Sequence, residues 1–340
     1  MPVVDTHGRA LRSLRLSVTD RCNLRCQYCM PEDEYLWLPR EDVLAYEETS
    51  QIVDLFGELG VDRLRITGGE PLLRRDLPSL VANLSAKPWV RDLALTTNGV
   101  LLASAAADLR RAGLHRLTVS LDTLRRDRFE RLARIDALPA VLAGLDAARR
   151  AGFTGLKLDT VVMRGTNDDE LPALVDYARD IDAEIRFIEY MDVGGATAWR
   201  PEMVFSRREM LDTLEARYGA PAPLAADSSA PAARFRLPHG QTIGIISSTT
   251  QPFCRACDRA RLTADGVLLL CLYAQHGTDL RRPLRAGASR ETMLNLIRAV
   301  WSGRADRGAE ERLAVRARGS YIPVSVLKRD AHLEMHTRGG

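Results

Sequence analysis

Residues 14–30 of the chain read LRLSVTDRCNLRCQYCM. The first five alternate apolar and polar side chains, which predicts a β-strand. The loop that follows holds Cys22, Cys26 and Cys29 in a C-x3-C-x2-C arrangement. One loop can wrap three thiolates around a [4Fe-4S] cluster, and three protein ligands leave the fourth iron open. A zinc site with an unseen fourth ligand is the alternative, whereas core packing or a disulfide does not suit three cysteines so close in sequence.

The same order of strand and then helix recurs through the first two thirds of the chain. Short β-branched runs predict strands at 14–18, 63–67, 93–97, 116–121, 156–162 and 184–190. Amphipathic patterns between and after them predict helices at 48–59, 76–84, 101–112, 138–151, 170–180 and 207–218. Six βα units fall short of the eight that close a TIM barrel. We therefore predict an α/β fold, a partial and laterally open (β/α)6 TIM-like barrel over residues 1–218.

The last third of the chain has a different composition. Residues 219–233 are rich in Pro and Ala, which predicts a linker or a long loop. Residues 234–340 then predict a smaller C-terminal domain. Its predicted strands and helix lie at 234–237, 242–246, 267–271 and 290–302.

Composition excludes several classes of protein. The 340 residues are 46% hydrophobic and 27% charged, which excludes a disordered chain, collagen and a disulfide miniprotein. A formal net charge of +3 gives no general case for binding nucleic acid or a membrane. The absence of a long apolar stretch and of a signal-like start predicts a cytoplasmic protein. Clustered cysteines in that reducing compartment hold metals or act in catalysis more often than they form disulfides.

A second cysteine set accounts for the remaining cysteines. Cys254, Cys257 and Cys271 are spaced C-x2-C-x13-C, and His276 follows five residues later. The histidine would complete a Cys3His zinc site. Alternatively, the three thiolates hold a second [4Fe-4S] cluster that again has one open iron.

The ends of the predicted strands carry polar residues and glycines. Active sites of βα barrels lie at the carboxyl ends of the strands, so we expect the residues at these ends to form one site. Taken alone, Gly68-Gly69 indicates a turn, Ser120 a strand-end cap and Met191 a core residue. Alternation along the strands also places cations on one face of three strands, at Arg15, Arg65 and Lys157. They either converge on a polyanion or point outward and form ion pairs, such as Lys157 with Asp159.

Two motifs of this chain resemble those of the radical S-adenosylmethionine (SAM) superfamily. They are the first cysteine loop, with Tyr28 before its third cysteine, and the run Gly68-Gly69-Glu70-Pro71. The resemblance implies a partial (β/α)6 barrel, which agrees with the six units counted above. It also implies that SAM chelates the open iron and is cleaved to a 5′-deoxyadenosyl radical. The positions that match SAM contacts in this superfamily are Tyr28, Gly69, Ser120 and Met191.

The chain has two sets of three cysteines, and Arg259 and Arg261 follow the second set. In this arrangement the chain is similar to one subgroup of the superfamily, the GTP 3′,8-cyclases of molybdenum-cofactor biosynthesis. The similarity covers nearly the whole chain and implies two [4Fe-4S] clusters and SAM as cofactors. It implies GTP contacts at Arg15, Arg65, Thr96, Lys157, Arg259, Ala260 and Arg261, with the guanine on the open iron of the second cluster. The terminal Gly339 and Gly340 would support catalysis by entering the active site, although two final glycines alone indicate a frayed end. The chain departs from this subgroup at two positions: Asp159 stands where its members often have Asn, and Arg338 stands where Ile is common.

The resemblance implies that GTP is converted to 3′,8-cyclo-7,8-dihydro-GTP, a lyase reaction at the first step of the pathway. It implies an external electron donor and a downstream cyclic pyranopterin phosphate synthase that accepts the product, and it allows a homodimer. Neither nucleic acid nor a membrane is an expected partner. One alternative is a radical SAM enzyme that modifies peptides or proteins with one auxiliary cluster. The other is a zinc-stabilised nucleic-acid-binding module that uses Arg255, Arg259 and Arg261 on phosphates.

Overall fold

A computed structural model describes residues 3–225 and 229–339 of the chain. Six parallel strands pair in chain order and form the centre of the fold. They are β1 (Ser13–Ser17), β2 (Arg63–Thr67), β3 (Asp92–Thr97), β4 (Arg116–Ser120), β5 (Leu156–Val162) and β6 (Ala183–Glu189). The six predicted strands are confirmed, each to within one residue at either end.

Helices follow the strands and cover the outer face of the sheet. They are α1 (Tyr46–Glu58), α2 (Leu77–Ser85), α3 (Leu102–Arg111), α4 (Arg126–Ala133), α5 (Leu138–Arg150), α6 (Leu171–Asp180) and α7 (Arg207–Tyr218). Apolar residues at helical spacing fix their orientation: α6 buries Leu171, Leu174, Val175 and Ala178. Helix α7 begins with a capping box in which the Ser206 side chain accepts from Glu209 N. The short, highly charged α4 was not predicted.

Strands from the last third of the chain extend this sheet at both edges. They are β7 (Ala222–Pro223), β8 (Ala233–Arg236), β9 (Thr242–Ile246), β10 (Arg259–Leu262), β11 (Val267–Leu269) and β12 (Thr278–Asp279). Strand β10 pairs in parallel with β1, and β9 pairs in parallel with β6. The resulting order is β12-β11-β10-β1-β2-β3-β4-β5-β6-β9-β8-β7. Residues 226–228 of the predicted linker lie outside the described residues, and the domain boundaries stay a prediction.

The remaining helices pack around the C-terminal strands. They are α8 (Arg281–Arg285), α9 (Arg290–Ser302), α10 (Gly308–Leu313) and α11 (Val324–Leu327). Helix α9 confirms the one predicted for this region and buries Met293, Ile297 and Trp301. Within the described part of the chain, no helix is long and apolar enough to cross a membrane.

The two faces of the parallel sheet differ in chemistry. In β5, buried Leu156 and Leu158 face the helices, whereas Lys157 and Asp159, which alternate with them, line a cavity of about 490 Å³. The same cavity is lined by residues of β1 to β6 and of β10. Strands this far apart in one sheet can share a cavity only if the sheet curves around it. The sheet is therefore an open, barrel-like trough with a polar interior.

Candidate active site

The first cysteine loop follows β1, and its three thiols, those of Cys22, Cys26 and Cys29, are free and half-buried. Burial raises the pKa of Cys29 well above its ordinary range, and charge on Cys26 and Cys22 raises it further. Thiols that influence one another in this way lie close together. Three thiolates on one loop are a donor set that suits a [4Fe-4S] cluster and leaves one iron open.

The end of β2 lies directly against this loop. The backbone N–H of Gly69 donates to the carbonyl of Thr19 at 2.9 Å, and that of Glu70 donates to the carbonyl of Arg21 at 2.8 Å. A Cβ atom at Gly69 would lie only 2.6 Å from the carbonyl oxygen of Asp20. Glycine is therefore needed here because the backbones approach too closely for a side chain.

Glu70 joins the ends of β2 and β3 to the same loop. Its fully buried carboxylate accepts hydrogen bonds from Thr97 Oγ1 at 2.7 Å, Asn98 N at 2.7 Å and Leu72 N at 2.9 Å. Burial raises the pKa of Glu70 to about 7, although these hydrogen bonds favour the charged form. The Nδ2 of Asn98 lies 3.9 Å from Cys22 Sγ, so the network extends to a predicted cluster ligand.

The four residues predicted to contact SAM all lie at the carboxyl edge of the sheet. Gly69 follows β2, Ser120 ends β4, and Met191 lies just after β6. Tyr28, in the cysteine loop, donates its hydroxyl hydrogen to Asp122 Oδ2 at 2.8 Å and so crosses to the end of β4. Of the four, Gly69 contacts the first cysteine loop through its backbone, and Met191 lines the cavity.

The cavity contains a concentration of cationic side chains. Its lining includes six of the seven residues predicted to contact GTP, namely Arg15, Arg65, Thr96, Lys157, Arg259 and Arg261. The seventh, Ala260, is fully buried on β10 and is not part of the lining. Burial lowers the pKa of Arg65 to about 10, that of Arg261 to about 9 and that of Lys157 to about 8. A polyanion bound here would relieve the repulsion and the cost of burial that lower these values.

Asp159 lies among these cations on β5. Its Oδ1 accepts no hydrogen bond from any described residue. Burial raises the pKa of Asp159, while the charges of Arg186 and Arg65 lower it. Arg65 itself donates to Thr96 Oγ1 at 3.1 Å and to Thr118 Oγ1 at 3.0 Å, so hydroxyl groups of β3 and β4 hold it in place rather than an acid.

The second cysteine set opens onto the same cavity. Cys254, Cys257 and Cys271 all line it, whereas His276, the candidate fourth zinc ligand, is exposed and does not. Two guanidinium groups lie near one of the sulfurs: Arg304 Nη2 at 3.5 Å and Arg259 Nη2 at 3.7 Å from Cys257 Sγ. Among residues 3–225 and 229–339, no three His, Cys, Asp or Glu side chains are grouped tightly enough to share a single metal ion.

The C-terminal tail enters the trough. The carbonyl of Gly339 accepts from Arg261 Nη1 at 2.7 Å and from Arg15 Nη1 at 3.3 Å. Gly339 has a φ of +66° and packs against Thr67 at the end of β2, so a side chain there would be strained and would clash. Arg338 is fully buried and its Nη1 donates to the carbonyl of Leu272 at 2.7 Å, so the unusual residue at this position is accommodated. Gly340 lies outside the described residues.

Comparison with known proteins adds to this geometry. Over 342 aligned residues, the chain is 56% identical to GTP 3′,8-cyclase 1 of Mycobacterium tuberculosis (strain ATCC 25618 / H37Rv), and the alignment covers 99% of this chain and 95% of that protein. It is 48% identical to the GTP 3′,8-cyclase of Acidothermus cellulolyticus, with 92% and 89% covered. The chain belongs to the GTP 3′,8-cyclase family. Membership confirms the resemblance to radical SAM enzymes of molybdenum-cofactor biosynthesis.

Two family models match successive regions of this chain. Residues 16–178 match the Radical SAM superfamily, and residues 183–310 match Molybdenum Cofactor Synthesis C. The chain also resembles Streptococcus suis SuiB bound to the precursor peptide SuiA, with a TM-score of 0.62 and 14% identity over 98% of this chain and 72% of that one. At this identity the likeness concerns the fold alone.

The cavity of this family member contains cations that the sequence analysis did not single out. They are Arg9, Arg63, Arg116, Arg186, Arg234 and Arg304. Alternation along the strand would have found Arg116, which shares a face with Ser120, and Arg186, which is in register with Asp159. Nothing in the local sequence indicates Arg9 or Arg304, because they lie outside the strands and reach the cavity only through the tertiary fold.

Proposed function

We propose that this protein converts GTP to 3′,8-cyclo-7,8-dihydro-GTP, a lyase reaction and the first step of molybdenum-cofactor biosynthesis. The observation that carries the proposal is that one cavity joins a cationic lining, the second cysteine set and Met191 at the edge of the predicted SAM site. The cyclase names of relatives that match nearly the full chain support it.

The triphosphate binds to cations on neighbouring strands. Arg65 and Lys157 lie on β2 and β5, and Arg15 lies on β1, so their side chains surround a phosphate chain from several sides. Arg forks and a lysine ammonium are the groups that proteins use for phosphate oxygens. Holding the nucleotide in one orientation is the main contribution that the protein makes to a radical reaction whose reactive species comes from a cofactor.

The guanine lies towards the second cysteine set. Arg259 and Arg261 point from β10 into the cavity next to Cys257, so they hold the base or its ribose near that cluster. Thr96, which accepts from Arg65, keeps that guanidinium facing the cavity. Gly339, bound by Arg15 and Arg261, closes the trough against water and supports the reaction without supplying a reactive group.

Two [4Fe-4S] clusters and SAM are the proposed cofactors, held by Cys22, Cys26 and Cys29 and by Cys254, Cys257 and Cys271. When bound, SAM would supply the carbon radical chemistry that takes the ribose H3′ of GTP, and an electron from the external donor together with a proton would complete the 7,8-dihydro product once C3′ had bonded to C8. Tyr28, Gly69, Ser120 and Met191 hold SAM in this scheme. An external electron donor, a downstream cyclic pyranopterin phosphate synthase and a homodimeric assembly are its proposed partners. The cytoplasm is the proposed compartment, because clusters held by thiolates are sensitive to oxidation.

Anaerobic reconstitution tests the proposal directly. The protein is loaded with iron and sulfide, its iron is counted, and it is incubated with SAM, dithionite and GTP before mass spectrometry of the products. We expect two clusters per chain, 5′-deoxyadenosine and a cyclised GTP product. Cleavage of SAM with GTP unchanged would contradict the cyclase proposal and favour a radical SAM peptide modifier. Stoichiometric zinc without iron would contradict both.

The roles of Arg259 and Arg261 are tested by GTP binding. Loss of a charge-assisted hydrogen bond costs about 1.5–3 kcal/mol, so Arg259→Ala and Arg261→Ala should each weaken GTP binding roughly 10- to 100-fold. Arg298→Ala on the exposed side of α9 is the control and should bind GTP normally. Unchanged affinity in both cavity variants would refute their assignment.

A further inference from the structure

Arg304 makes an unusual set of contacts beside the second cysteine set. Its side chain, only 1% exposed, lies just beyond α9. Its Nη1 donates to the carbonyl of Cys257 at 2.8 Å, and its Nη2 lies 3.5 Å from Cys257 Sγ. The same guanidinium is paired with Asp306 at 3.1 Å and lies 3.7 Å from Asp5. The group is engaged by the protein itself, so it is not a spare cation waiting for GTP.

The N-terminal segment holds this arrangement in place. Arg9 donates to the carbonyl of Cys254 at 3.0 Å and pairs with Asp5 at 2.5 Å. Trp301, in the last turn of α9, donates from Nε1 to the carbonyl of Arg9 at 3.1 Å. Residues from both ends of the chain therefore close around the loop that carries Cys254 and Cys257, and they fix the position of the Arg304 guanidinium.

In the described part of the chain, no guanidinium group donates to a sulfur of the first cysteine set. The side-chain donor at Cys22 Sγ is the neutral amide of Asn98, at 3.9 Å. Arg25 lies close by, but it donates to the carbonyls of Cys22 and Leu24. Among the hydrogen bonds of the described residues, guanidinium donors reach a cysteine sulfur only at Cys257.

We infer that Arg304 is a positioning residue that raises the reduction potential of the second [4Fe-4S] cluster above that of the first. The inference rests on the proposed function, because it requires a cluster on Cys254, Cys257 and Cys271. Reduction adds one electron to the cluster and so one negative charge. A buried cation and an N–H donor at a ligand sulfur stabilise that added charge, and the low local dielectric strengthens the effect.

The difference in reduction potential sets the direction of electron transfer between the two clusters. An electron delivered to the second cluster by an external one-electron donor is retained there rather than passed to the first. The second cysteine set lines the cavity that holds GTP in the proposed function, so a stored electron lies beside the substrate. Arg259, whose Nη2 lies 3.7 Å from the same sulfur, also has a buried Nε that makes no hydrogen bond with a described residue and can therefore contact the nucleotide.

The test is a potentiometric titration of the anaerobic holoenzyme with dithionite, followed by electron paramagnetic resonance. The first cluster is identified by the change of its signal with SAM, and the second by the change of its signal with GTP. Arg304→Gln should lower the potential of the second cluster by about 59 mV or more, a tenfold change in its one-electron equilibrium. The potential of the first cluster should not move. Arg304→Lys, which keeps the charge but not the fork, should give a smaller shift.

Two further variants make the result decisive. Asp5→Asn removes the carboxylate that balances Arg304 while keeping an acceptor for the N–H groups of His7 and Arg9, so it should raise the potential of the second cluster. Arg128→Gln is the matched control: this buried arginine pairs with Asp169 and Glu170, and its loss should move neither potential.

Each outcome has one meaning. If Arg304→Gln assembles both clusters and their potentials equal those of the wild type, or shift together, the inference is wrong and the proposed function stands. If Arg304→Gln fails to assemble the second cluster, Asp5→Asn decides: a raised potential supports the inference, and no change or a fall overturns it. If the wild type shows no second cluster signal, the inference and the two-cluster proposal fail together.

Discussion

At the level of single residues, Gly69 sets how closely β2 approaches the first cysteine loop. In Gly69→Ala the new methyl group would meet the carbonyls of Asp20 and Arg21, and the loop would have to shift. We predict that SAM affinity falls at least about tenfold, since one misplaced contact of about 1.4 kcal/mol has that effect. Equilibrium dialysis of SAM against the reconstituted protein measures the change.

Gly319→Ala is the control for this prediction. A Cβ there meets no atom within 4 Å, so SAM affinity should equal that of the unchanged protein. Wild-type affinity in Gly69→Ala as well would mean that the loop yields freely and that this glycine does not position SAM.

Lys157 makes GTP binding dependent on pH. Burial and the charges of Arg186 and Arg116 lower its pKa to about 8. The ammonium that attracts phosphate is therefore present below pH 8 and is lost as the pH rises above it. We predict that the Kd for GTP rises by up to about tenfold per pH unit above 8, and that binding near pH 8 takes up a proton. Calorimetry in buffers of different ionisation enthalpy measures both effects.

Lys157→Met should bind GTP more weakly below pH 8 and show a flatter pH dependence above it. Lys328→Met, an exposed lysine beyond α11, should keep the wild-type profile. If the slope above pH 8 survives in Lys157→Met, another group is responsible for it.

At the level of elements, the strands were predictable because apolar residues that face the helices alternate in them with polar residues that face the cavity. The prediction failed for α4, whose Arg126–Ala133 sequence is mostly charged: its single buried arginine, Arg128, is stabilised by Asp169 and Glu170, which lie far away in sequence. It also failed for β10, because the run Arg259–Leu262 resembles a basic motif and becomes a strand only by pairing with β1. Long-range pairing of this kind leaves no local pattern.

His332 fastens the C-terminal tail to the turn between β10 and β11. Its ring lies between two carboxylates, with Nε2 2.8 Å from Asp265 Oδ2 and Nδ1 2.9 Å from Asp330 Oδ1. These contacts raise the pKa of His332, with the hydrogen bond to Asp265 as the main cause. A raised pKa means that the stabilisation is complete below the ordinary value of about 6.5 and is lost as the pH rises through the folded value.

We predict that the tail is docked most firmly near pH 6 and loosens as the pH rises. Amide hydrogen exchange of residues 330–339, corrected for intrinsic rates, measures this protection. His332→Gln should remove the pH dependence, whereas His239→Gln, at an exposed turn, should leave it intact. Protection that is constant from pH 6 to 9 in the unchanged protein would show that the imidazolium does not hold the tail.

At the level of the whole molecule, the net charge of +3 hides a strongly uneven distribution. Alternation along strands predicted that Arg15, Arg65 and Lys157 share a side, and the structure brings them to one cavity. The contributions of Arg9 and Arg304 could not be predicted, since both residues reach the second cysteine loop only through contacts between parts of the chain that are far apart in sequence. The site is therefore partly local in sequence and partly a product of chain closure.

Asp192 is the place where three distant parts of the chain meet. Its fully buried carboxylate accepts from Tyr273 Oη at 2.9 Å, Arg312 Nε at 2.8 Å and Arg318 Nη2 at 2.8 Å. It follows Met191 directly, while Tyr273 lies two residues after Cys271. A single carboxylate thus fixes the end of β6, the second cysteine loop and the C-terminal segment relative to one another.

We predict that Asp192→Asn lowers the free energy of unfolding by about 3 kcal/mol, because it leaves two partly buried guanidinium groups without their counter-charge. Urea denaturation of the anaerobic protein measures this loss. Asp127→Asn is the control: its pair with Arg131 is exposed to solvent, so the free energy of unfolding should stay that of the unchanged protein. The GTP affinity of Asp192→Asn should also fall, because the second cysteine loop forms one wall of the cavity. A loss of stability below about 1 kcal/mol would mean that the three segments are held together by apolar packing instead.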